Sequence, residues 1–290
     1  MKYYFYAIGA IFCWASLPVA TGSGLDEFST EELMFYSFAS ATVFLYIQDI
    51  LINRSAKIHL PGWRVSLMGI WGIFLYHYVY YQALDLVPLA EGAILATTWS
   101  FWIVVFSSFF IFRRLKLSIL LIAFVGLCGA GMVIAAGKEL SFDLVYMQGY
   151  LLALLCGLIW SSFSVGLSRM KRETNHEPMT AFTLYAALLS AVLFILTMPH
   201  EVPSTAGLFS AVYLGCVPLG LSFFLWNRAM NGGNLMVIGF LSYFTPPLAV
   251  FLVAVIKKEA VSGQVLLGMV LILAASIVGK LVLDRSQKQV

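Results

Sequence analysis

The sequence predicts an all-α integral membrane protein of ten transmembrane helices, arranged as two inverted five-helix repeats with both termini in the cytoplasm. Three observations carry this reading. Hydrophobic residues fill 61% of 290 positions and charged ones only 11%, whereas a soluble domain spends about a quarter of its residues on charge. The apolar residues fall into ten blocks, each close to the ~20 residues a helix needs to cross a ~30 Å hydrocarbon core. Finally, basic residues alternate from loop to loop, and the chain repeats itself at one fixed offset.

The blocks are read at 3–22, 31–51, 64–84, 89–112, 117–136, 146–168, 178–199, 205–227, 234–256 and 261–283. The loops between them are short and leave no room for a soluble domain. Lys and Arg favour the cytoplasmic side of a membrane. The N-terminus and every second loop hold Lys2; Arg54, Lys57 and Arg64; Arg113, Arg114 and Lys116; Arg169, Lys171 and Arg172; Arg228; and Lys280, Arg285 and Lys288. The opposite side holds only Lys138, Lys257 and Lys258, and its first loop is purely acidic, with Asp26, Glu27, Glu31 and Glu32. A missed or invented segment would destroy that alternation. The first block is read as a retained helix, because Ser16-Leu17-Pro18-Val19-Ala20 offers no convincing small-x-small cleavage site. Cys13, Cys128, Cys156 and Cys216 all lie in apolar blocks without metal spacing and read as small buried hydrophobes.

Shifted by 146 residues, Trp14 falls on Trp160, Ser16 on Ser162, Glu31 on Glu177, Gly69 on Gly215, Ala83 on Ala229 and Leu89 on Leu235. The same ungapped shift lays segments one to four on six to nine. Residues 1–140 and 141–290 are therefore read as two repeats of one integrated membrane domain. Each holds five helices, an odd number, so the second must enter the membrane upside down relative to the first.

Inverted repeats place a site near the midplane, between the halves. Tryptophan and tyrosine normally collect at the headgroups, and Tyr3, Tyr4, Tyr6, Trp63 and Trp226 are read there. Trp14, Trp99, Trp160 and Tyr243 lie too near the middle of their segments for that explanation. Lining a cavity and packing between helices both fit them. In the third segment Phe74, His77, Tyr78 and Tyr81 follow helical spacing on one face, with Gln82 beside them. His77 stands alone among the histidines in lying well inside a segment; His59, His176 and His200 are in or near loops. A histidine at that depth faces a cavity or bonds a neighbouring helix. Pro18, Gly215, Pro218, Gly220, Pro246 and Pro247 interrupt segments one, eight and nine and read either as hinges or as fixed kinks. Gly126, Gly129, Gly131 and Gly268 read as close-packing positions.

No Asp, Glu, Lys or Arg lies near the midplane, since Asp49, Asp85 and Glu91 are at segment ends. A carboxylate relay and a strongly anionic cargo are thereby disfavoured. No catalytic constellation, phosphate loop or metal cluster is visible, so the chain is read as no enzyme and as needing no cofactor. Its expected partners are the lipid bilayer and a small-molecule solute, without nucleic acid, and it is expected to work as a monomer.

Ten short segments and a Trp-Ser pattern in the first helix of each half (Trp14-Ala15-Ser16, Trp160-Ser161-Ser162) resemble the drug/metabolite transporter superfamily, specifically its EamA-type members. Tyr81-Gln82-Ala83-Leu84 and Pro246-Pro247-Leu248 before Lys257-Lys258-Glu259 add to the likeness. The aromatic segments one, three and four are most similar to the bacterial aromatic amino-acid exporters of that superfamily. The resemblance implies a basket of ten helices in the bacterial inner membrane, a central cavity, and export of aromatic and other neutral amino acids by alternating access. Segment one has no acidic residue, unlike the four-helix multidrug relatives, which counts against proton-driven expulsion of lipophilic cations. Broad drug or metabolite export, a channel and a non-transporting scaffold are the alternatives.

Overall fold

Backbone polar groups in hydrocarbon must be satisfied within their own segment, and the chain meets that demand with helices. The computed structural model describes residues 1–113, 115–135, 140–170, 177–197, 203–257 and 262–287, and no strand occurs among them. Arg114, Lys138, Lys171, Arg172, His176, His200, Lys258 and Lys288 lie outside the described residues. The helices of the first half are α1 (Lys2–Ala15), α2 (Leu17–Leu25), α3 (Thr30–Asn53), α4 (Trp63–Gly69), α5 (Tyr76–Leu86), α6 (Leu89–Ala96), α7 (Trp99–Phe112) and α8 (Leu117–Ala135). Those of the second are α9 (Met147–Arg169), α10 (Met179–Leu196), α11 (Thr205–Leu214), α12 (Ser222–Gly232), α13 (Leu235–Ser242), α14 (Thr245–Lys257) and α15 (Gly263–Gln287). A π-helical turn, Ile70–Leu75, joins α4 to α5, and another, Gly215–Leu221, joins α11 to α12.

Nine helical runs among the described residues are long and apolar enough to cross a bilayer. The run from Trp63 to Leu86 is as continuous as the others. The polar atoms of Tyr76, His77, Tyr78, Tyr80, Tyr81 and Gln82 lower its hydropathy. The outer faces carry large apolar side chains in the open, among them Phe209 at 74% and Ile195 at 64% exposure. A soluble monomer would not expose such a surface; a lipid-embedded one must. Of the four cysteines only Cys156 is buried, and Cys128 is exposed on such an outer face, where lipid serves as well as a core.

The boundaries recur at the offset found in the sequence. Adding 146 to α5 gives the limits of α12, adding it to α6 gives those of α13, and adding it to the first residues of α7 and α8 gives those of α14 and α15. The break at Thr97–Thr98 recurs at Tyr243–Phe244, and the first π turn falls inside the second. Packing between halves follows the same rule. Helix α3 packs on its counterpart α10, and α8 on α15; α1 meets α12 as α5 meets α9. In the α8–α15 pair Gly129 and Gly268 touch through backbone, since a Cβ on Gly129 would lie 2.8 Å from the Gly268 carbonyl oxygen. Small residues allow such an approach in lipid, where no hydrophobic force drives helices together. Gly126 admits the Tyr243 ring, whereas Gly131 meets only ordinary contact with Ile94.

Local signals mark where the helices start, including two starts inside segments that the sequence reads as single spans. Ser29 Oγ accepts from Glu32 N–H at 3.3 Å while Glu32 accepts from Ser29 N–H at 2.9 Å, a capping box opening α3. Pro18 and Pro246-Pro247 lie in the first turns of α2 and α14, where a missing N–H leaves no intrahelical bond unmade. In the first turn of α6, buried Glu91 gathers Ser141 N–H, Ser141 Oγ–H, Phe142 N–H and the Tyr150 hydroxyl. The carboxylate thus pins the loop connecting the two halves.

Candidate substrate site

Trp14 is in the last full turn of α1, just before the helix breaks at Ser16, and Trp99 opens α7 just after the break at Thr97–Thr98. Trp160 lies in mid-α9 and Trp226 in mid-α12. The folded chain brings all four together. The Trp14 ring is 5.0 Å from Trp226, 5.5 Å from Trp160 and 5.8 Å from Trp99, and Trp99 is 5.7 Å from Trp226 and 6.5 Å from Trp160. Most of these contacts are edge-to-face, the arrangement the ring quadrupole favours. Each half supplies two rings, so the cluster sits on the seam between the halves.

Buried indole N–H groups need partners. Trp226 Nε1 donates to Ser164 Oγ at 3.0 Å. Trp14 Nε1 donates to the Pro218 carbonyl at 3.1 Å, and Ser222 Oγ donates to the same oxygen. The π turn around Pro218 therefore serves the cluster by presenting a carbonyl to two side chains. Gly215, at the start of that turn, lies against α3: a Cβ there would be 2.2 Å from the Ser37 carbonyl oxygen. Gly220 lies inside the turn, close to the Gly215 carbonyl.

His77 is buried beside the cluster. Its ring centroid is 4.9 Å from Tyr76, 5.1 Å from Phe38, 5.8 Å from Phe223 and 6.5 Å from Tyr81. Nδ1 lies 2.7 Å from the Ile73 carbonyl oxygen. A carbonyl only accepts, so Nδ1 carries the proton and Nε2 of the neutral ring is left as an acceptor. The free ring nitrogen of His77 is therefore an acceptor rather than a donor.

The three tyrosines singled out in the sequence take separate places. Tyr78 is half-buried and stacks on Phe74 at 6.1 Å, while Tyr76 takes the place beside Trp160, at 5.2 Å. Tyr81 is buried next to His77 and Tyr80. Tyr243 does not join the cluster. It is fully buried in a separate core with Phe240, and its hydroxyl donates to the Ala123 carbonyl at 2.8 Å. Tyr243→Phe is expected to lower stability by about 0.5–1.5 kcal/mol, the net worth of one hydrogen bond, with flux unchanged. Thermal unfolding in detergent and efflux measured on one preparation check it.

Trp226, expected at the headgroups, is buried in the cluster, because its segment runs on past 227 to Gly232. A small pocket of about 10 Å³ lies against Trp160 and Trp226 and is walled by Ile73, Phe163, Ser164, Leu167, Met179, Phe223, Asn227 and Met230. Sequence reasoning missed Trp226, Phe223, Tyr76 and Asn227. The available signal was spacing: Phe223, Trp226, Asn227 and Met230 share one helical face, and Trp226 falls on Tyr80 at the repeat offset.

With this geometry in place, comparison with known proteins is decisive. The profile of the EamA-like transporter family matches residues 1–135 and again 147–278. The chain belongs to the EamA-like transporter family. The two matches begin 146 residues apart, the offset of the helix boundaries. This EamA-like chain is 35% identical over 279 residues to the aromatic amino acid exporter YddG of Ancylobacter novellus, covering 95% of this chain and 96% of that one. It is 25% identical over 188 residues to the pseudopaline exporter CntI of Pseudomonas aeruginosa, covering 64% and 63% of the two chains. A crystal structure superposes with a TM-score of 0.85 at 30% identity over 97% of both chains. The EamA-like chain is thus a multi-pass membrane protein of the bacterial inner membrane and a member of a transporter family.

Proposed function

We propose that this protein exports aromatic and other neutral amino acids by alternating access, with its solute held against the four-tryptophan cluster. The observation that carries the reading is the cluster itself: four indoles from four helices, two from each half, meeting at the seam and bordering a pocket. Aromatic walls gain about 0.5–1.5 kcal/mol per ring pair beyond area burial, and an ammonium against a ring about 2 kcal/mol when desolvated. The name of the Ancylobacter relative supports the same solute class.

The architecture belongs to the proposal too: ten spans including Trp63–Leu86, residues 1–140 and 141–290 as inverted repeats, both termini cytoplasmic, acting as a monomer. The matched boundaries and the paired contacts between halves support it. At about 10 Å³ the pocket has room for about one water molecule, against the roughly 300–1,000 Å³ usual for small-molecule sites, so its walls must part to admit a solute. Rocking about the π turns and the helix breaks at Pro18, Pro218, Gly220, Pro246 and Pro247 provides that motion, with Gly215 as the fixed contact on α3. The relation to CntI favours, as a second reading, export of a broader set of metabolites.

The test is efflux from liposomes holding the purified protein, with tryptophan, phenylalanine, threonine and a lipophilic cation compared in the absence of a proton gradient. Saturable, stereoselective efflux of the aromatic amino acids is the expected result. Unsaturable flux means a channel, and flux of the cation alone, only with a gradient, overturns both solute and coupling.

A further inference from the structure

The tryptophan cluster accounts for an aromatic side chain but not for the two charges an amino acid brings with it. Charges taken into a poorly hydrated cavity require partners, and those partners are found where the pocket meets Met179 and Met230. Buried Asn227 lines the pocket, donates Nδ2 to the Glu177 carboxylate, and accepts on Oδ1 from Asn231 Nδ2 at 2.6 Å. Arg228 donates Nε to the other Glu177 oxygen at 3.2 Å, and its guanidinium lies 4.5 Å over the Phe224 ring. Those two contacts fix the plane of the guanidinium. Its two terminal nitrogens have no protein partner among the described residues. A guanidinium fork held in place with both ends open is suited to a carboxylate.

The arrangement therefore sets a carboxylate, an amide and an open guanidinium side by side at the edge of an aromatic-walled pocket, the complement of an ammonium and a carboxylate on one carbon. Glu177 precedes α10 while Asn227 and Arg228 are on α12, so the group also bridges two helices that must separate if the pocket is to open on this side. We propose that Glu177, Asn227 and Arg228 form the subsite for the charged end of a zwitterionic solute, with the ammonium on Glu177, the carboxylate on the open fork of Arg228, and the side chain laid toward Trp226 and Trp160. This rests on the amino-acid reading above and adds to it a basis for rejecting amines and acids that carry one charge only.

The experiment is calorimetric binding of three ligands to the purified full-length protein: tryptophan, tryptamine (no carboxylate) and indole-3-propionate (no ammonium). The wild type is expected to bind each analogue at least tenfold more weakly than tryptophan. Glu177→Gln is expected to weaken tryptophan and tryptamine about tenfold and leave indole-3-propionate unchanged. Arg228→Gln is expected to weaken tryptophan and indole-3-propionate and leave tryptamine unchanged. Each analogue is indifferent to the partner it never had. A bridge that merely ties α10 to α12 predicts an equal change for all three ligands, and that outcome overturns the subsite. So does wild-type protein that binds tryptamine as well as tryptophan, a result that needs no variant to fold. Protein that binds none of the three sinks the amino-acid reading and the subsite with it. Protein that binds tryptophan without the charge pattern sinks the subsite alone.

Discussion

Trp160→Ala is expected to bring aromatic amino-acid efflux to background while the protein still inserts in the membrane. Trp160 is the ring through which the cluster connects to its surroundings. It meets Trp14 at 5.5 Å, Tyr76 at 5.2 Å, Phe163 at 5.5 Å and Phe223 at 5.7 Å, and it forms part of the pocket wall. Removing a buried tryptophan side chain costs roughly 3–5 kcal/mol in well-packed protein. That is a large loss, but insertion is governed by the hydropathy of α9, which one substitution barely changes. Binding suffers more directly. If even two ring contacts to a solute are lost at about 0.5–1.5 kcal/mol each, the loss is on the order of the 1.4 kcal/mol that makes a factor of ten in affinity. Trp160→Phe keeps a ring in place and is expected to retain a measurable fraction of the flux. Efflux from liposomes with matched protein content measures both. Wild-type flux in a properly inserted Trp160→Ala protein would remove the cluster from the transport path.

The features that made Trp160 stand out in the sequence also show how far such reading reaches. Three of the four clustered indoles could be picked out by depth alone, because Trp14, Trp99 and Trp160 sit mid-segment where headgroup preference cannot explain them. Trp226 escaped because its helix runs to Gly232, about a turn beyond the last apolar residue of the block, across Asn227, Arg228 and Asn231. Those polar residues looked like the end of a span, whereas inside the fold they are bonded to Glu177 and to one another. Tyr76 escaped because the face drawn through Phe74, His77, Tyr78 and Tyr81 omits it, although its ring meets Trp160 at 5.2 Å. The π turn at Ile70–Leu75 escaped as well. Nothing in Ile70-Trp71-Gly72-Ile73-Phe74-Leu75 announces such a turn locally. The repeat does, since the same stretch falls on Cys216–Leu221, where Pro218 forbids a regular helix. Tyr243 was central in the sequence and is central in the fold, but it lies in the break between α13 and α14, with its hydroxyl on the Ala123 carbonyl.

Gly215→Ala, the smallest possible change, is expected to be among the most damaging substitutions in the chain. A methyl group there would lie 2.2 Å from the Ser37 carbonyl oxygen, 2.6 Å from Ser40 Cβ and 3.0 Å from Ala41 N. All three atoms belong to α3 at or near its backbone, so no rotamer change relieves the collision and the whole helix must shift. Overpacking typically costs about 1–3 kcal/mol where side chains can yield, and the upper end or beyond is expected here, with a clearly lower Tm in detergent. Gly69, its counterpart at the repeat offset, makes the comparison sharper. Its methyl group would strike the Phe182 ring at 2.1 Å, a buried side chain rather than backbone, so Gly69→Ala is expected to fall between Gly215→Ala and the tolerated case. Gly22→Ala is that case: nothing lies within 4 Å of the added atom, and Tm should stay level or rise slightly. The series also separates the two roles open to Gly215. A hinge predicts that Gly215→Ala keeps its Tm and loses turnover, since the helix still packs but no longer bends. A close-contact position predicts that Tm falls first, with flux per folded molecule reduced only as far as α3 has moved. The geometry against Ser37 favours the second. In that case the motion of the eighth segment is carried by the Pro218 turn beside it, and Gly215 is the fixed contact against which that turn moves.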